Sequence, residues 1–103
     1  MSTFDPGKFE DKYVHYFPEL QRAYKRAFEY MNDSYDSQLI HAIDQQVLNE
    51  SEPFYEDGEF TVSLPDTPHE RIRGVVVDDD HLDSVLQTYV ERIESELHAE
   101  FFE

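Results

Sequence analysis

Two stripes of apolar side chains at helical spacing limit what this chain can fold into. Phe9, Tyr13, Tyr16, Phe17, Leu20, Tyr24, Phe28 and Met31 recur mostly at intervals of three and four. Leu82, Val85, Leu86, Tyr89, Val90, Ile93 and Leu97 repeat the pattern near the far end. A stripe with this period is buried only if its segment is helical and packs against a second layer. Pro18 interrupts the first stripe without shifting its phase. Proline disfavours helix in the residue before it and suits the first turn of a new one. The pattern therefore predicts two nearly coaxial helices, or one kinked helix, over about 8–32.

Between the stripes the period changes. Ser34 or Asp36 can cap a third helix, with Leu39, Ile40, Ile43, Val47 and Leu48 on its buried face. PFYEDGEFTVSL then reads as a hairpin turning at Asp57-Gly58. A two-residue loop there pairs Tyr55 with Phe60 and Pro53 with Val62, leaving one apolar side. Arg71 to Val77, ending in Val75-Val76-Val77, predicts a third strand. The final helix is expected over about 80–100, capped by Asp79 or Asp80. The expected fold class is α+β: about four helices packed on a small three-stranded antiparallel sheet, in the order α-α-α-β-β-β-α. Residues 1–103 fit a single domain by length.

Charge comes next. The chain carries 24 Asp and Glu against 8 Lys and Arg, a net of −16. Over a folded surface of about 6,100 Å² this is about one excess negative charge per 380 Å². Self-repulsion of that size destabilises a compact state at ordinary ionic strength. At 1 M salt the screening length falls to about 3 Å and most of the repulsion disappears. The composition is that of a protein working in concentrated KCl. The charge is uneven: residues 1–26 are nearly neutral, and residues 27–70 contain no Lys or Arg at all.

Several function classes drop out. There is no Cys, so there is neither a disulfide framework nor a thiol nucleophile. A reducing cytoplasmic location fits. No apolar run approaches the roughly 20 residues of a membrane span, and MSTFDPGKFEDKY lacks the pattern of a signal peptide. Gly7, Gly58 and Gly74 stand too far apart for a P-loop, a dinucleotide fingerprint or a nucleophile elbow. No cofactor is implied.

The candidates for chemistry are few. Asp78, Asp80 and His81 could offer oxygen and imidazole to a metal, with His69 or Glu70 as helpers from the preceding loop. The competing reading has the aspartates cap and charge the last helix, and it is favoured, so no metal is expected. Glu94 and His98 form a helical pair better read as a surface contact. His15 and His41 read as partly buried helix residues. Arg22, Lys25 and Arg26 cluster on one polar face. As a phosphate patch they would give a salt slope near −2.7, which costs roughly three and a half decades of affinity between about 0.15 M and 3 M salt. Nucleic acid is therefore not the expected partner. Local pairing with Glu19 and Glu29 accounts for the cluster. A patch that resists acidity is otherwise a contact surface. Phe101 and Phe102, where a chain would normally fray, are the other interaction candidates.

Read from FDPGKFEDKYVHYFPELQRAYKRAFEYM through YEDGEFTVSLP to RIRGVVVDDDHLDSVLQTYVERI, the sequence resembles a small haloarchaeal family of uncharacterised acidic proteins. The resemblance covers the whole chain and carries no motif of known chemistry. It implies adaptation to salt and a cytoplasmic location. Together these readings lead to an interaction module that self-associates, as a homodimer, or meets an unknown protein partner, with no membrane role and no catalytic role favoured. The alternative is a small enzyme or a ligand- or metal-binding protein with a site near the end of the third strand.

Overall fold

The computed structural model describes residues 4–102. Asp5 starts the first turn. Its carboxylate accepts the Gly7 N–H at 2.9 Å, and Pro6 takes the helix position where a missing N–H costs nothing. Two single turns follow, α1 (Pro6–Phe9) and α2 (Lys12–His15), and then the long helix α3 (Phe17–Ser34). The region expected as two coaxial helices or one kinked helix is thus three. The chain breaks at Asp11 (φ −111°, ψ 43°) and again at Tyr16 (φ −129°, ψ 19°). The second break follows from Pro18, which has no N–H to give the Val14 carbonyl one turn earlier.

Helix α4 (Ser37–Gln46) is capped by Asp36, whose carboxylate accepts the Gln38 N–H at 3.1 Å. A 3-10 turn (Leu48–Glu50) leads into β1 (Glu52–Glu56) and β2 (Glu59–Ser63). These strands form an antiparallel hairpin with Pro53 opposite Val62 and Tyr55 opposite Phe60. Asp57 (φ 51°) and Gly58 (φ 82°) make the turn, both left-handed as a tight hairpin loop requires. After the turn α5 (Pro68–Arg71), helix α6 (Asp79–Phe102) completes the fold.

The core forms where α6 lies along α3. Leu82, Val85, Leu86, Tyr89, Ile93 and Leu97 of α6 are buried, as are Leu20, Ala23, Ala27 and Met31 of α3. Ala23 and Ala27, one turn apart, let the two backbones approach. Helix α4 closes one flank with Leu39, Ile40 and Ile43, and the hairpin closes the other through Phe60.

The fold is α+β, with two corrections. Six helices and a two-stranded sheet stand where about four helices and three strands are expected among the described residues. The predicted third strand is absent: Arg71 ends α5, and residues 72–78 run without a ladder partner. The hairpin has no room for it. The N–H of Val62 in β2 donates to the Glu94 carboxylate of α6 at 3.0 Å, so a helix covers that edge. On β1, Pro53 has no N–H to offer a neighbour. The start of α6 also moves. The Asp78 carbonyl accepts the Leu82 N–H at 2.9 Å, so Asp78 takes the cap position expected of Asp79 or Asp80.

Candidate functional site

One charged side chain is buried among the described residues: Lys12, 4% exposed. The phase of the apolar stripe puts it there, three residues after Phe9 and four before Tyr16. Its ammonium lies 5.5, 5.2 and 5.1 Å from the ring centres of Phe9, Tyr13 and Phe54. Glu52 of β1 closes the cage at 2.9 Å. The contact fastens α2 to the hairpin through charge and ring faces together. Alongside, Phe4, Phe9, Tyr16, Phe60 and Phe101 form a ring cluster with centroids 4.9 to 6.2 Å apart.

Next to the cage an open groove of about 270 Å³ runs between α3, the 3-10 turn and β1. Tyr13, Phe17, Leu20, Tyr24, Leu48 and Pro53 line it, and none of its lining residues is charged. Tyr13 and Phe17 on its rim are 55% and 46% exposed. At its floor Ser51 Oγ donates to the Leu48 carbonyl at 2.7 Å, so the Tyr24 hydroxyl donates to Ser51 Oγ at 3.1 Å. Burial pushes the Tyr24 phenol up to about 12. It remains a neutral donor.

A second open groove, about 320 Å³, is lined by polar residues of α4 together with Arg73, Gly74 and Val75. It holds no nucleophile–base pair: Ser37 gives its proton to Asn32 at 2.8 Å rather than to His41. Gln46 acts as a false strand beside this groove. Its side-chain amide accepts the Arg73 N–H at 2.7 Å and donates to the Arg73 carbonyl at 3.1 Å. Beyond it, Gly74 (φ 82°) turns the chain into the valine run. Val75 and Val77 pack on the core, and Val76 between them is fully exposed. Among the described residues, no hydrogen bond involves the backbone of Gly74 through Val77.

The residues singled out from sequence scatter. Asp78, Asp80 and His81 are exposed, and no group of three or more potential ligands is gathered for a metal among the described residues. His69 does reach α6. Its Nε2 lies 2.5 Å from Asp83 and its Nδ1 3.8 Å from Asp79. The Asp83 hydrogen bond raises its pKa above the ordinary 6.5. His15 and His41 are exposed rather than partly buried, and His41 meets Phe28 edge-on at 5.0 Å. The ion pairs of Arg22 and Arg26 are to α6 rather than to Glu19 and Glu29. Both hold Glu100 of α6, at 2.5 and 3.2 Å. Lys25 is exposed with no ion pair among the described residues. Phe101 is buried in the chain's own ring cluster, while Phe102 is 46% exposed. His98 meets Phe102 at 5.2 Å with the ring planes tilted by 43°. The Glu94 carboxylate accepts the Val62 N–H of β2, and burial raises its pKa.

Sequence reasoning misses Lys12, the groove and the lone Val76. Lys12 was visible as a charged residue in apolar phase. The groove is assembled from three separate elements and leaves no local signal. No helix among the described residues is long and apolar enough to cross a membrane. Over residues 1–103 the chain matches the model of DUF5783, a family of unknown function, and belongs to that family. No curated protein and no solved structure matches it.

Proposed function

We propose that this member of the family is a self-associating interaction module of a salt-rich cytoplasm rather than an enzyme. One observation carries the reading: apolar surface is left uncovered on a chain of net charge −16. It includes the charge-free aromatic groove and Val76, along with Val14 and Phe102. Single exposed apolar residues are ordinary, but a contiguous apolar surface marks contact sites. Salting-out ions sharpen the point, because they strengthen the drive to bury such surface. The reading needs neither a metal nor a cofactor. The internal pairing of Arg22 and Arg26 with Glu100 leaves little of the basic cluster for nucleic acid.

Light scattering tests it. In about 2 M KCl, where the screening length is under about 3 Å, charge cannot mask apolar contact. Across about a hundredfold range of concentration the mass is expected to rise above the 12.3 kDa of one chain. A mass fixed at 12.3 kDa throughout ends the self-association reading.

A further inference from the structure

We infer that two copies meet by pairing antiparallel along Val75–Val77, which deepens the self-association reading and rests on it. Three consecutive β-branched residues are strand formers by composition. Their side chains already alternate as in a strand, with Val75 and Val77 inward and Val76 outward. Their backbone groups have no partner among the described residues. Within the chain none is to be had, since Glu94 covers one edge of the hairpin and Pro53 blunts the other. This is the open edge of the fold, and open edges recruit strands.

Charge selects a second copy as the occupant. The run is preceded by Arg73 and followed by Asp78, Asp79 and Asp80. Antiparallel self-pairing centred on Val76 places Val75 against Val77 and brings the Arg73 end of each run towards the acidic end of the other. A parallel arrangement would set like charges side by side. Arg73 has no ion pair within its own chain among the described residues, so it is available for that role. Pairing about a two-fold axis also joins the two Val76 side chains on the outer face, removing the most exposed apolar residue from water.

Three variants in about 2 M KCl decide it. Val76→Lys changes a side chain that packs on nothing, so the fold survives, and dimer affinity is expected to fall at least about tenfold. Phe17→Glu, on the groove rim, is expected to leave the dimer intact. Val76→Cys supplies the only thiol in the chain. Directly paired residues lie about 4.5–5.5 Å apart at Cα, within disulfide reach. Under mild oxidant it is expected to form a covalent dimer much faster than Phe17→Cys. A wild-type dimer that Val76→Lys leaves unchanged, or equal cross-linking at the two positions, overturns the valine pairing while self-association stands. A wild-type chain that never exceeds one copy overturns both.

Discussion

Lys12 shows how a single position can reverse the usual cost of burial. An ammonium out of water is expensive unless it is paired. Here three ring faces and Glu52 replace water. The two ends of the ion pair are unequal, because the Glu52 side chain is about half exposed (48%) and that of Lys12 only 5%. Removing one partner should therefore hurt unequally. Glu52→Gln strands a buried charge and is expected to cost roughly 2 kcal/mol, below the 3–5 of a fully buried pair. Lys12→Met strands only a hydrated carboxylate, fills the cage with apolar volume, and is expected to cost under about 1 kcal/mol. Chemical denaturation of both variants checks the order, and a larger loss for Lys12→Met would refute it. The phase of Lys12 was legible in sequence. Its partner was not, because Glu52 arrives from a strand 40 residues away.

The elements divide the same way. The two long helices, the Asp36 cap and the hairpin register all follow from local signals: period, capping residue and the Asp57-Gly58 turn. The missing third strand does not, since its absence is decided by Glu94 on a helix 32 residues beyond Val62. Nor is the pairing of His69 with Asp83 readable, because it depends on α5 folding back over the start of α6. That contact predicts a pH dependence. The hydrogen bond to Asp83 raises the folded pKa of His69 above its unfolded 6.5. Its stabilisation is complete below the unfolded value and is lost as pH rises through the folded one. The melting temperature of the wild type minus that of Asp83→Asn is therefore expected to shrink on going from mildly acidic to mildly alkaline buffer. A difference that grows with pH would contradict the assignment. Phe101, an interaction candidate by its place in the sequence, packs on rings of its own chain, Phe4 and Phe60 among them.

For the molecule as a whole, cations are too scarce to answer the carboxylates. Arg22 and Arg26 share Glu100, Arg71 meets Glu50, and Arg92 holds Glu96. No Lys or Arg lies in the stretch from residue 27 to residue 70. On the proposed reading salt does the rest. The melting temperature is expected to climb steeply from about 0.1 M to about 3 M KCl, as the screening length falls from about 10 Å to under 3 Å. A flat profile would refute adaptation to brine, and a rise seen only with calcium would point to a bound ion. The pairing of α3 with α6 has a further consequence, in time rather than in energy. Helical proteins usually collapse fast because their contacts are local. Here the apolar stripe of α3 finds its mate only across everything from Ser37 to Asp78, and Phe4 meets Phe101 at 5.0 Å. Closing so long a loop raises the entropic barrier. During synthesis the face of α3 that α6 will cover stays open until the last helix emerges, and in concentrated salt the screened carboxylates would do little to keep such nascent chains apart.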